Sequence, residues 1–184
     1  MRCPKDRKTE LPASLLSDSL QVHCCPDCKG TWIPAQAYET WQEQQPPVSL
    51  SHLPQTLDVD FVHSPYDTKG ALCPECNHYL ARAKVGLKMP FYVERCPNCG
   101  GIWCDHGEWE ALEQMGLQPV IQQLFTSEWQ TRLKEREQAE QERKATIEKL
   151  GEDIATRLFE LAEMLEKHPN GDFGVAYIMR RFDR

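Results

Sequence analysis

Cys73-Pro74-Glu75-Cys76 and Cys96-Pro97-Asn98-Cys99-Gly100-Gly101 place two C-x2-C pairs nineteen residues apart. Two thiol pairs at that separation are the signature of a tetrahedral zinc site, in which four soft sulfurs on two tight turns close the coordination shell. Nearer the start, Cys3, Asp6, Cys25 and Cys28 read almost the same, with Asp6 where the later unit has Cys76. A shift of 71 positions superposes Cys25 on Cys96, Cys28 on Cys99, Gly30 on Gly101, Trp32 on Trp103, Tyr38 on Trp109 and Glu39 on Glu110. Agreement that runs past the cysteines indicates duplication of a whole unit.

Units of this size bury too little apolar surface to fold unaided, and a metal supplies what the core lacks. Nine cysteines in 184 residues are also compatible with a disulfide framework. Cys3 lies too early for a signal peptide to precede it, and no apolar run reaches membrane-spanning length. The expectation is a reducing, cytoplasmic setting with thiolate-bound metal.

Residues 1–109 hold 10 Lys and Arg against 13 Asp and Glu, and residues 110–184 hold 11 against 15, for a net charge of −7. Non-specific nucleic-acid binding draws on basic side chains that neutralise phosphates, so this balance argues against it. Arg82, Lys84, Lys88 and Arg95 are the basic patch that such binding would use, with Trp or Tyr side chains for stacking.

Local signals divide the chain into a first, variant ribbon unit (1–45), a linker (46–70), a second ribbon unit (71–116) and a helical tail (117–184). Between the later cysteine pairs, Tyr79 to Ala83 and Pro90 to Glu94 read as hairpin strands, with Gly86 near the turn. Asp105 followed by Glu108 forms a capping box that opens a helix, and Gly116 is placed to end it. In the first unit Pro34 suits the first helical position and Pro46-Pro47 close the helix. The linker carries four prolines, at 46, 47, 54 and 65, and no helical period.

The tail changes character. Ser127 to Leu150 is crowded with Glu, Gln, Lys and Arg, the composition of a solvated helix. Ile154, Leu158, Leu161, Ala162 and Leu165 then mark one face of an amphipathic helix, stopped by His168-Pro169-Asn170-Gly171. Phe173 to Phe182 is apolar enough to dock onto that helix or onto another chain. The fold class expected is small α+β: two tandem zinc ribbons, each with an appended helix, followed by a helical C-terminal region.

Two zinc ions are expected. Cys73, Cys76, Cys96 and Cys99 hold the second, a closed structural site. Cys3, Cys25 and Cys28 hold the first, with Asp6 favoured as fourth ligand and His23, Cys24 or solvent as alternatives. His106-Gly107-Glu108 matches the H-x-E of zinc deaminases, but no P-C-x-x-C follows it, and the helix start accounts for Glu108. Cys104 stands outside both sets and reads as a small buried hydrophobe ahead of a further ligand or a redox thiol.

The run Cys73-Pro74-Glu75-Cys76, then Cys96-Pro97-Asn98-Cys99-Gly100-Gly101-Ile102-Trp103-Cys104-Asp105-His106-Gly107-Glu108, resembles the bacterial TFIIB-type zinc-finger family, whose hallmark is CPxC followed by CPxCGGxWLDxGEL. Residues 1–43 carry a weaker copy, and Cys3-Pro4-Lys5-Asp6 resembles the CPxD opening of some members. Cys104 and Trp109 replace the usual leucines, and the first unit lacks the D-x-G-E helix start. The resemblance implies small structural zinc ribbons, not a transferable function. The expected role is a non-catalytic zinc-binding interaction module whose C-terminal helices bind a protein partner or a second copy. A nucleic-acid-associated factor and a redox or zinc sensor using the first site with Cys24 are the alternatives.

Overall fold

The structure is a computed structural model, and it describes residues 1–16, 19–48, 59, 62–86 and 89–182. It divides into two compact units, Met1–Leu133 and Lys134–Arg184.

The first unit is built on one six-stranded sheet: β1 (Ala13–Leu16), β2 (Leu20–Cys24), β3 (Thr31–Ile33), β4 (Ala81–Val85), β5 (Phe91–Arg95) and β6 (Ile102–Cys104), in the order β1-β2-β3-β6-β5-β4. Each ribbon gives three strands, and the two halves join edge to edge where β3 pairs antiparallel with β6. That register sets Trp32 opposite Trp103, flanked by Thr31 opposite Cys104 and Ile33 opposite Ile102. Trp32 and Trp103 are the residues superposed by the 71-residue shift, so the repeats are related by an approximate two-fold axis through this pair. The pairing removes an edge from each ribbon, a liability that a free three-stranded sheet would carry.

Period-two alternation along the strands sorts the side chains into two cores. On one face, Leu20, Val22, Ile33, Val85, Phe91, Val93, Ile102 and Cys104 pack with buried residues of the helices. On the other, Trp32 and Trp103 lie with Leu11, Leu80 and the cysteines. The helical layer comprises α1 (Ala35–Gln42), α2 (Glu108–Gln114), a 3-10 turn at Gln118–Val120 and α3 (Ile121–Leu124). Trp41 meets Trp109 edge to face at 5.5 Å between ring centres. The Tyr38 hydroxyl donates to Gln118 O at 2.7 Å and accepts from Ile121 N–H at 3.2 Å, satisfying the phenol inside the core.

Four local expectations shift. The hairpin strands begin later than the sequence pattern marks them, because Tyr79 is spent in an isolated bridge to Leu72. Pro34 sits just before α1 and not within it. The capping box is only half made: Glu108 Oε2 accepts from Asp105 N–H at 2.8 Å, but Asp105 turns its own carboxylate to the Trp103 indole, and left-handed Gly107 opens the helix. Gly116, also at positive φ, ends α2 as expected. The sequence pattern puts segment 118–124 in the tail, yet Ile121 and Leu124 are fully buried in the first core.

α4 (Ser127–Leu150) starts in the first unit, where Leu133 is buried, and continues into the second. The second unit otherwise consists of α5 (Glu152–Lys167) and α6 (Gly171–Phe182), paired as a hairpin. Gly171 and Gly174 allow the close approach: a Cβ at either would run into Leu165. No helix among the described residues is long and apolar enough to cross a membrane.

Candidate metal centre

Each ribbon presents its sulfurs from two knuckles. Cys73–Cys76 precedes β4, Cys96–Cys99 links β5 to β6, and Cys25–Cys28 links β2 to β3 in the same way. The chain reverses tightly in them: Gly100, and Lys29 at the matching place, adopt positive φ, as do Asn77 and Arg7 after the first knuckles. Backbone N–H groups point back at the leading sulfur, from Cys28 to Cys25 at 3.5 Å, Cys76 to Cys73 at 3.4 Å and Cys99 to Cys96 at 3.5 Å. Such bonds stabilise a thiolate and orient it toward a metal.

Cys73, Cys76, Cys96 and Cys99 converge as one group, and Cys3, Cys25 and Cys28 as another. All nine cysteines are free thiols. Sulfur separations of 3.5 Å for Cys73–Cys99, 3.3 Å for Cys76–Cys96 and 3.7 Å for Cys3–Cys28 are far beyond a disulfide bond. They approach the edge of about 3.8 Å that a tetrahedron with metal–sulfur bonds of about 2.3 Å requires. The donor set therefore fits zinc in both repeats. The Cys28 thiol beside Cys3 holds the Cys3 pKa down to about 6, and the backbone N–H of His78 does the same for Cys76, again to about 6. Their partners move the other way, Cys28 pushed up by the same contact with Cys3 and Cys73 and Cys99 by burial, so within each cluster one thiol gives up its proton most readily while its neighbours hold theirs.

The first site gathers three thiols. The Asp6 carboxylate accepts from Lys8 N–H (2.8 Å), Thr9 N–H (3.0 Å) and Thr9 Oγ1 (2.6 Å), bracing the turn that follows Cys3. It does not join the three-thiol group. Cys24 Sγ lies 3.4 Å from Thr31 Oγ1, and His23 Nδ1 is buried in β2 with no hydrogen-bond partner among the described residues. Cys104 is fully buried on the helical face, and desolvation pushes its thiol well above the usual range.

The knuckles also carry contacts that motif reading missed. Lys5 and Glu75 occupy matching places after the first proline of each repeat, and each crosses to the other half. Glu75 accepts from the Trp32 indole at 2.9 Å. Lys5, its side chain wholly buried, reaches Glu94 at 2.6 Å, Lys69 O at 3.0 Å and Tyr66 O at 3.3 Å. The shared position x of C-P-x was the available signal, but nothing in the spacing says that the two halves face each other.

A four-sulfur cluster and a three-sulfur cluster on β-knuckles, carried by the two halves of one sheet, define a tandem zinc-ribbon protein. The family model described as transcription factor zinc-finger matches the chain twice, over residues 2–44 and 72–115, so the two repeats are similar to that family. Neither the comparison with curated proteins nor that with solved structures gave a match.

Proposed function

We propose that this chain is a non-catalytic, zinc-stabilised interaction module that assembles with a second copy through its α5–α6 hairpin. The observation that carries the reading is the apolar surface of that hairpin, left exposed among the described residues. Ile154, Leu158, Leu161 and Met164 on α5, and Phe173, Tyr177 and Met179 on α6, are all exposed. Two amphipathic helices bury little between themselves, and Ala155 and Gly171 are the buried residues they contribute. A second hairpin would complete a four-helix bundle and cover both faces. Charge favours a like partner: α5 carries five acidic and two basic residues, whereas α6 carries one acidic and two basic, so α5 of one copy suits α6 of another.

The nucleic-acid alternative has weaker support. Trp32, Trp41, Trp103 and Trp109 are buried, which removes them as stacking platforms. Arg82 is drawn to Asp67 and Glu94 and lies over the Tyr92 ring, while Lys88 lies outside the described residues. The sensor alternative retains Cys24, which is half-buried beside Cys25.

Native mass spectrometry of the zinc-loaded chain tests the reading. A dimer is expected, reverting to monomer in the double variant Leu158→Glu, Met179→Glu with zinc content unchanged. A wild-type chain that stays monomeric at about 100 µM, well above a micromolar affinity, overturns it.

A further inference from the structure

Asp67, Asp105 and Glu108 meet beneath the second ribbon, each offering a carboxylate oxygen within 4.8 Å of the others. All three are more than nine-tenths buried. They come from separate places: Asp67 from the stretch before the first knuckle, Asp105 just after β6, and Glu108 from the first turn of α2.

One oxygen of each is fixed by a donor from the protein. Asp67 Oδ1 accepts from Tyr92 N–H at 3.0 Å, Asp105 Oδ1 from the Trp103 indole at 2.8 Å, and Glu108 Oε2 from Asp105 N–H at 2.8 Å. Among the described residues, the remaining oxygens of Asp105 and Glu108 are buried and receive no hydrogen bond from a donor group. Burying such atoms unpaired costs on the order of 1–3 kcal/mol each, and more when they are charged.

Lys5 does not supply the missing partner. An ammonium has three protons, and those of Lys5 are committed to Glu94, Tyr66 O and Lys69 O. Its distance of 3.4 Å to Asp105 Oδ2 leaves attraction without a bond. Four carboxylates, with Glu94 included, face two cations, Lys5 and Arg82. With all four ionised the formal surplus is two negative charges; burial, which raises Glu94 to about 7 and Glu108 well above the usual carboxylate range, lets protons compete with a divalent ion for that surplus.

From this geometry we infer that Asp67, Asp105 and Glu108 form a third metal site, for a hard divalent cation of the magnesium, calcium or manganese class. An all-oxygen donor set selects those ions over zinc, whose sites here are built from sulfur. The donors holding the second oxygen of each carboxylate play the orienting part that outer-shell groups play in metal sites. The ion would tie the stretch before the knuckle, the sheet and α2 together.

The probe is manganese, added to the full zinc-loaded chain and followed by electron paramagnetic resonance. One bound manganese per chain is expected at sub-millimolar concentration, within the range of weak oxygen-ligand sites at about 0.1–1 mM. Magnesium or calcium in excess should displace it. Asp67→Asn should weaken manganese binding at least about tenfold while zinc content and the circular dichroism spectrum stay as in wild type. If that variant fails to fold, Glu108→Gln is read in its place. No bound manganese at about 1 mM, the upper end of that range, overturns the inference, as does binding that neither variant weakens. If wild type binds no manganese and both variants melt higher than it does, the surplus charge is neutralised by protons, and the inference likewise fails.

Discussion

Trp32 and Trp103 stand directly opposite each other across the β3–β6 pairing, and the ring of each covers the glycine of the other repeat. A Cβ on Gly30 would overlap the Trp103 ring, and one on Gly101 would overlap Trp32. The glycine two residues before each tryptophan is therefore set by the opposite repeat and not by its own turn.

Gly101→Ala tests this reciprocity. Overpacking of a rigid core by one methyl costs about 1–3 kcal/mol. The expected result is a loss of that size in chemical denaturation, largely recovered when Trp32 is also shortened to Phe. An equal loss in the presence and absence of the Trp32 change would place the strain elsewhere.

Lys5 reaches from the first knuckle to Glu94 on β5, 89 residues away in sequence. Removing one partner of a buried ion pair leaves a charge uncompensated and costs about 3–5 kcal/mol. Lys5→Met should fall in that range at about pH 8, where Glu94 is ionised in the wild type, and the double variant with Glu94→Gln should recover part of it. A loss below about 1 kcal/mol, the scale of a surface pair, would show that the ammonium contributes little.

Asp6 is the irregular position of the first zinc motif, and its carboxylate braces the turn to Thr9. Asp6→Ala removes that brace but none of the three thiols. Native mass spectrometry is expected to count two zinc ions still, with the first surrendered faster to a chelator. A clean one-zinc species before chelation would make Asp6 a ligand.

Glu94 is raised to about 7, first by desolvation, against the pull of Lys5. Its ordinary value is near 4.5, so the folded state holds this proton more tightly than the unfolded chain does. The stabilisation is complete below pH 4.5 and is lost as pH rises through 7. By linkage the full span is on the order of 3 kcal/mol. Measured as the difference between wild type and Glu94→Gln, the wild type should lose ground between about pH 5 and 7.5 by most of that amount. A flat difference would refute the shift.

Much of the fold was legible because its signals are local. Cysteine spacing marks knuckles, Gly116 ends a helix through its left-handed backbone, and the polar run from Ser127 to Leu150 matches α4. Segment 118–124 was hidden because Gln118 and Pro119 resemble linker residues, and only burial of Ile121 and Leu124 reveals it as core. Lys5 was equally hidden: a lysine in a tight turn ordinarily faces water, and its carboxylate partners are scattered through the second repeat.

The sequence by itself determined the duplication, the sulfur ligands and the succession of helices, since each rests on the chemistry of a few neighbouring residues. Only the tertiary structure decided that β3 pairs with β6 and merges the repeats into one sheet. It also decided that Lys5, Asp67, Glu94, Asp105 and Glu108 share one buried site. Strand-edge pairing has no side-chain code of its own, and buried charges find their partners across distances that sequence spacing does not encode.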